Sequence, residues 1–364
     1  MRTWLITGGA GFIGANFVHK LFDLTDVKIV IVDKLTYAGD LRRLDGVLGS
    51  DRVVFKHSCI TNQEAMSQVF HEHKVQKVVH FAAESHVDRS ILGPEVFLKS
   101  NVEGTVNLLR QAQKHWDGNF LDKMFIHIST DEVYGDLGPE DKPFTEFHPY
   151  KPSSPYSASK AASDHFVRSW HRTYGLPIVI TNCSNNYGPW QFPEKLIPLM
   201  IQNAFDQKPL PVYGDGTQIR DWIHVEEHCE AILTVSEYGK VGETYLIGAN
   251  EEMSNLKIVK TICELVDQAR QREPGETAKL ITYVKDRPGH DHRYAINNSK
   301  IRDDLGWAPK RNFESSLAEL VTWMEENQNW LKSVRDQEYL YYYQNQYGIN
   351  LQIADQEDPE RTEK

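Results

Sequence analysis

Tyr156-Ser157-Ala158-Ser159-Lys160 sets a phenol and an ammonium four residues apart, on one face of a helix. A nearby cation favours the phenolate and lowers a tyrosine pKa from its usual value of about 10, which makes Tyr156 a usable general base. A second constellation lies upstream, where a β-branched run ends in Ser129-Thr130-Asp131-Glu132. Oxidation of an alcohol needs one base and a hydride acceptor. Removal of water from a sugar also needs an acid for the departing hydroxyl and a base for a carbon-bound proton. Two adjacent carboxylates at a strand end could supply both, with Thr130 bonding a substrate oxygen. Taken alone, such a pair caps a helix or faces water, and a lone YxxxK lies on a surface.

The elements around these residues give them their context. Short apolar runs alternate with helix-patterned stretches, as in βαβ units. Trp4 to Thr7, Lys28 to Asp33, Val53 to His57, Lys77 to Ala82, Met124 to Ser129 and Ile178 to Asn182 read as strands. Gly14 to Leu24, Asn62 to His73, Asn101 to His115 and Tyr156 to Tyr174 read as helices. The expected fold is α/β: a Rossmann-type doubly wound parallel sheet with a smaller, mixed α/β C-terminal substrate-binding domain. Between the first strand and helix, Gly8, Gly11 and Gly14 fall in a GxxGxxG spacing that lets backbone amides approach a pyrophosphate. Asp33 ends the next strand, where a carboxylate bonds ribose hydroxyls and repels a 2′-phosphate, so the expected cofactor is NAD. Thr130 to Glu132 then sit at the carboxyl edge of the sheet, where ligands bind in such folds.

Charge and composition narrow the partners. The net charge of -11 disfavours nonspecific attraction to nucleic acid or an anionic membrane. No apolar run approaches the ~20 residues that span a bilayer. Cys59, Cys183, Cys229 and Cys263 are scattered without a CxxC pair, so reduced thiols are expected; a strand pattern begins within the first residues, so no signal peptide and a cytoplasmic protein are expected. His71-Glu72-His73 and His290-Asp291-His292 alternate their side chains rather than grouping them, and no metal is expected. The expected domains are 1–184 for NAD, completed by about 223–250; 185–222 and 251–335 for a nucleotide-sugar; and 336–364 as a C-terminal segment with a frayed acidic tail.

Together these blocks carry a resemblance. They are Thr7-Gly8-Gly9-Ala10-Gly11-Phe12-Ile13-Gly14, Asp33-Lys34-Leu35-Thr36-Tyr37-Ala38-Gly39, Phe81-Ala82-Ala83-Glu84-Ser85-His86-Val87-Asp88-Arg89-Ser90 and Ser129-Thr130-Asp131-Glu132-Val133-Tyr134-Gly135. Tyr156 to Ala161, Asn185-Asn186-Tyr187-Gly188-Pro189, Gly214-Asp215-Gly216, Arg220-Asp221-Trp222 and Asp286 to Asp291 follow in order. From Thr3 to about Pro309 the chain resembles the dTDP-glucose 4,6-dehydratase family of extended short-chain dehydrogenases.

The resemblance implies a three-stage reaction with a retained NAD. Tyr156 would take the 4-hydroxyl proton while C4 gives up hydride, with Thr130 on the oxygen and Lys160 holding the ribose and tuning Tyr156. Glu132 would remove the C5 proton, Asp131 would protonate the departing 6-hydroxyl, and hydride would return to C6. By the same resemblance Gly8, Gly11, Phe12, Ile13, Gly14, Asp33, Lys34, Leu35, Thr36, Ile60, Phe81, Ala82, Ala83, Glu84, Ser85, Ser100, Tyr156, Lys160 and Asn186 line the NAD site. Cys59 stands where the family usually has an aspartate beside the adenine. Substrate contacts are implied at Ser85, Thr130, Asn185, Lys195, Leu196, Pro211, Tyr213, Arg220, Asn255, Asp286, Arg287, His290 and Tyr347, with Arg220 and Arg287 matched to a diphosphate. A homodimer is also implied.

Other functions share this pattern in whole or part. A 4,6-dehydratase of UDP-glucose or another nucleotide-glucose needs all five residues, since thymine and uracil differ by one methyl. A nucleotide-sugar 4-epimerase or decarboxylase needs Tyr156 and Lys160 but not Asp131 and Glu132. A non-catalytic NAD-binding protein needs none of the five.

Overall fold

The structure is a computed structural model and describes residues 2–335 and 337–348; the expected acidic tail, Asn350 to Lys364, lies outside the described residues. Along the chain run β1 (Thr3–Thr7), α1 (Phe12–Leu24), β2 (Lys28–Asp33), β3 (Val53–His57), α2 (Gln63–His73), β4 (Lys77–His80), α3 (Val87–Leu92) and α4 (Pro94–Phe97). Then come α5 (Gly104–Trp116), β5 (Met124–Thr130), α6 (Pro155–Tyr174), β6 (Ile178–Cys183), β7 (Asn185–Tyr187), α7 (Leu196–Phe205), β8 (Leu210–Tyr213), β9 (Ile219–His224), α8 (Val225–Tyr238) and β10 (Thr244–Ile247). β11 (Glu252–Ser254), α9 (Asn255–Ala269), β12 (Ile281–Val284), α10 (Ser299–Leu305), α11 (Phe313–Glu326), α12 (Gln328–Ser333) and α13 (Gln337–Tyr347) complete the order.

Seven parallel strands form the main sheet in the order β10-β6-β5-β4-β1-β2-β3. Its strands are apolar on both faces, as burial between two helical layers requires. Trp4, Ile6, Ile29, Ile31, Ile126 and Val179 pack on one side with α1 and α8; Leu5, Val30, Val32, Phe125, Ile178 and Ile180 pack on the other with α2, α5 and α6. That alternation gives a doubly wound, Rossmann-type sheet. Local signals set the helix ends. Asn62 caps α2 by accepting from the Ala65 amide at 3.0 Å. α6 opens on a capping box between Ser154 and Ser157, with Pro155 in its first turn, and closes on Gly175 at φ +70°.

The expected helix Asn101 to His115 is broken differently. α4 leads into a π-helical stretch, Leu98–Glu103, before α5 begins at Gly104. A side chain on Gly104 would overlap the Ile60 side chain, so glycine at the start of α5 lets the helix approach the loop after β3.

The chain divides into two compact units with boundaries unlike the expected ones. The first comprises 1–191, 217–255 and 286–317. Residues 217–222, 251–255 and 286–317 join the large sheet's unit for physical reasons. β9 pairs with both β7 and β11, Arg293 bonds Glu252 at 2.6 Å, and Asn298 Nδ2 donates to the Gly248 carbonyl at 2.8 Å. The second unit comprises 192–216, 256–285 and 318–364. In it β8 and β12 pair in parallel, and Asn203 Nδ2 donates to the Tyr343 hydroxyl at 2.8 Å. Of the aromatic run, Tyr339, Tyr342 and Tyr343 are buried and Tyr341 is exposed.

Candidate active site

The turn after β1 is built for close approach. Gly8 has φ +71°, and a Cβ there would lie 2.6 Å from the Ala82 amide nitrogen; one on Gly14 would overlap the Gly8 carbonyl oxygen. Gly11 caps α1 without a side-chain bond, which leaves the first amides of the helix for an anion. Asp33 at the end of β2 accepts from the amides of Ala10 at 2.9 Å and Leu35 at 2.8 Å, and burial raises its carboxyl above the usual range against those bonds. A fixed carboxylate beside a bare helix N-terminus fits a dinucleotide. Gly14→Ala is expected to weaken NAD binding at least about tenfold, by forcing the loop off the helix. Titration calorimetry measures it, and unchanged affinity would refute the fit.

The remaining cofactor candidates flank this turn. Phe12 and Ile13 open α1, and Lys34, Leu35 and Thr36 follow Asp33. Ile60 is buried, and Cys59 Sγ lies 3.0 Å from Thr61 Oγ1. Phe81, Ala82, Ala83, Glu84 and Ser85 continue beyond β4, which ends at His80 and not at Ala82. Ser100 is half-buried in the π-helical stretch, and Asn186 Oδ1 meets His228 Nδ1 at 2.8 Å. Asn101, which the sequence did not single out, holds this edge together. Its Oδ1 accepts from the Glu84 amide at 2.8 Å, and its Nδ2 donates to the Glu84 carbonyl at 3.0 Å and Ser159 Oγ at 2.8 Å. An asparagine inside a helical stretch gives no warning of this.

β5 and α6 bring the five chemical residues together. Thr130 is the last residue of β5, and a short 3-10 turn, Asp131–Tyr134, follows. Thr130 Oγ1 accepts from the Glu132 amide at 3.3 Å and donates to Asp131 Oδ1 at 3.3 Å. Asp131 is buried, and its Oδ2 has no hydrogen-bond partner. Burial, reinforced by Glu132 and Asp221, pushes this carboxyl well above its usual range, against the pull of Arg220 and Thr130. Burial thus biases Asp131 towards its acid form, the state that can donate a proton. Glu132 is half-buried and acts electrostatically on Tyr156, Asp131, Arg220, Arg287 and Tyr294.

Tyr156 and Lys160 differ from the expectation in one respect. They share the buried face of α6, but Lys160 Nζ donates to the Ile128 carbonyl at 2.7 Å. Burial pushes the Tyr156 phenol well above its usual range, Glu132 and Cys183 add to the rise, and a hydrogen bond with Thr130 opposes it. The phenol is raised rather than lowered because desolvation leads, with Glu132, Cys183 and Asp131 adding to it.

The substrate candidates fall on both units. In the first, Asn185 and Asn255 each bury a side-chain oxygen without a partner. The Arg220 guanidinium is fixed by the carbonyls of Ile219, Asp291 and His292 at 2.7, 2.8 and 3.3 Å and lies 4.2 Å from the Tyr294 ring. Arg287 pairs with the buried Asp88 at 3.0 Å and keeps an unpartnered buried Nε. His290 Nδ1 donates to Asp286 at 2.6 Å, and burial, with Arg287, pushes the imidazole down to about 4. Ser85 is exposed. In the second unit Lys195 precedes α7 and Leu196 begins it, Pro211 and Tyr213 lie on β8, and the Tyr213 and Tyr347 rings are 5.6 Å apart.

Residues 5–320 match the sequence model of the family described as GDP-mannose 4,6 dehydratase. The chain is 53% identical over 346 residues to a dTDP-glucose 4,6-dehydratase of Neisseria meningitidis serogroup B, covering 93% of this chain and 98% of that one. Its fold matches the structure of a dTDP-glucose 4,6-dehydratase from Bacillus anthracis in complex with NAD, at a TM-score of 0.82 and 44% identity, over 92% of this chain and all of that one. It also matches a dTDP-glucose 4,6-dehydratase from Streptomyces venezuelae with NAD and TYD bound, at a TM-score of 0.84 and 41% identity over the same shares. With nearly its whole length matched in sequence and in fold, the chain belongs to the GDP-mannose 4,6 dehydratase family of extended short-chain dehydrogenases.

Proposed function

We infer that this chain is a dTDP-glucose 4,6-dehydratase, a hydro-lyase that uses NAD to convert dTDP-glucose to dTDP-4-keto-6-deoxy-glucose. The observation that carries the reading is Asp131, a buried carboxyl with one unpartnered oxygen, biased by burial towards its acid form beside Glu132 and Tyr156. An epimerase or decarboxylase has no use for such an acid.

NAD, held by the turn of Gly8, Gly11 and Gly14 and by Asp33, would supply the hydride acceptor for C4 and the hydride donor for C6. Tyr156 takes the proton of the 4-hydroxyl while Thr130 bonds the same oxygen. The resulting 4-ketone acidifies the C5 proton, which Glu132 removes. Asp131 gives its proton to the 6-hydroxyl, which leaves as water. Glu132 exchanges the proton it took with solvent and delivers one to C5 as C6 is reduced. Tyr156 ends with one proton more and Asp131 with one fewer, so exchange with solvent resets both. Arg220 and Arg287 would bind the diphosphate, joined by Asn185, Asn255 and His290.

Incubation with dTDP-glucose in deuterated water tests the reading. The expected product has lost one water and carries deuterium at C5. Unchanged mass with inversion at C4, or no turnover, would refute it.

The setting proposed is cytoplasmic: among the described residues no helix is long and apolar enough to cross a membrane, and the four cysteines are free thiols. A homodimer is also proposed. Leu92 and Leu98, exposed at 72% and 56% beside Val96 at 43%, supply apolar surface of the kind that self-association covers. Sedimentation equilibrium decides it, and a monomer at working concentrations would count against it.

A further inference from the structure

The buried face of α6 carries a carboxylate that the mechanism above does not use. Asp164 lies one helical turn beyond Lys160 and two beyond Tyr156, and it is fully buried. Its Oδ2 accepts from Tyr150 Oη at 2.8 Å, Ser129 Oγ at 2.9 Å and Asn182 Nδ2 at 3.2 Å, and His127 Nε2 lies 3.1 Å from Oδ1. Asn182 Nδ2 also donates to the Thr130 carbonyl at 3.0 Å. The last two residues of β5 are thus tied to this one carboxylate, and Lys160 bonds the residue just before them, Ile128. A buried carboxylate costs several kcal/mol unless paired and hydrogen-bonded, and well-packed apolar side chains would serve bare stability as well. Its cost is offset where its charge and its bonds act, on Lys160 and on Thr130.

We infer that Asp164 is a positioning residue for C4 oxidation, the buried anion that keeps Lys160 an ammonium and fixes the strand end bearing Thr130. This rests on the dehydratase reading above.

The surrounding charges single Asp164 out. Lys160 is faced by Asp164 from its own helix, His127 from β5, His80 from β4 and Cys183 from β6. Burial leaves both histidines neutral, His127 pushed down to about 4, and pushes the Cys183 thiol up to about 12. Asp164 in turn faces His127, Arg168 and the phenols of Tyr134 and Tyr150, which burial keeps protonated. Of all these groups Asp164 alone is an anion at neutral pH. Burial pulls Lys160 towards its neutral form, and Asp164 is the leading influence opposing it.

The test is the pH profile of the first hydride transfer, followed as NADH absorbance on mixing the NAD-loaded enzyme with dTDP-glucose. In Asp164→Asn the lysine loses its counter-charge and its proton leaves at lower pH. The alkaline limb should move down by about one unit, with an alkaline-side rate about tenfold lower and KM within about twofold. A limb that stays in place, with the rate unchanged or evenly reduced at every pH, overturns the inference, because evenly lost rate is what a packing defect gives. If Asp164→Asn does not fold, Ser129→Ala with Tyr150→Phe keeps the carboxylate but strips two of its donors. Its acid limb should then move up, and a fixed acid limb overturns the inference. Wild-type enzyme that forms no NADH would sink the dehydratase reading as well; wild-type turnover with unmoved limbs in the variants sinks this inference alone.

Discussion

Asp131→Asn is expected to oxidise C4 and then stall, so that NADH accumulates while release of the 4-keto-6-deoxy product falls about 10³-fold. The carboxyl it replaces sits at the end of β5 with one oxygen on Thr130 and the other unpartnered. An amide fills the same space but has no acidic proton for the departing hydroxyl. The sign of the pH effect follows from the raised pKa of Asp131. Its acid form is present below that pKa and is lost as pH rises through it, so wild-type elimination should slow on the alkaline side. The asparagine variant should lack that limb. Stopped-flow absorbance paired with quenched product analysis separates the steps. An equal fall in NADH formation and product release would move Asp131 out of the elimination step.

Tyr156→Phe should fail one step earlier. The ring of Tyr156 packs edge-on against Phe97 with centroids 6.3 Å apart, and phenylalanine preserves that packing. What disappears is the hydroxyl that Thr130 engages and the base for the 4-hydroxyl proton. NADH formation should slow about 10³-fold while bound NAD content and melting temperature stay near wild type. Burial disfavours the Tyr156 phenolate, with Glu132 adding to it and the Thr130 hydrogen bond opposing it. Normal NADH formation in the phenylalanine variant would assign the proton to another residue.

What the sequence disclosed and what it hid follow from how each feature arises. The strands were legible because parallel strands covered on both faces are near-continuous apolar runs, as in the fully buried β1. The glycines at 8, 11 and 14 were legible because backbone approach at a tight turn excludes side chains. β4 stops at His80 although its apolar text runs to Ala82, because the segment after it meets the glycine turn and not a neighbouring strand. The helix before α5 was misjudged because a π-helical turn changes the hydrogen-bond register without changing the apolar pattern.

Within the site, residue types were legible and their couplings were not. The spacing of Tyr156 and Lys160 does place them on one face of α6, but spacing carries no measure of desolvation. Burial therefore reversed the expected shift of the phenol. Asn101 and Asp164 gave no signal at all. Lys160 lies one turn from Asp164, but the hydrogen-bond and ion-pair partners that bury these side chains lie 17 to 58 residues away for Asn101 and 14 to 37 for Asp164, distances that a local pattern does not reach. The grouping of residues 217–222 and 251–255 has the same cause: pairing of β9 with β7 and β11 in a separate three-stranded sheet, not composition, joins them to the unit that holds the large sheet.

The account turns on the protonation state of Asp131 in the folded protein. Isotope-edited infrared spectroscopy on protein carrying labelled aspartate reads it directly, with Asp131→Asn as the reference. The account predicts a protonated-carboxyl C=O band at neutral pH that is present in wild type, missing in the variant, and lost as pH rises. A difference spectrum showing only carboxylate at neutral pH would contradict it.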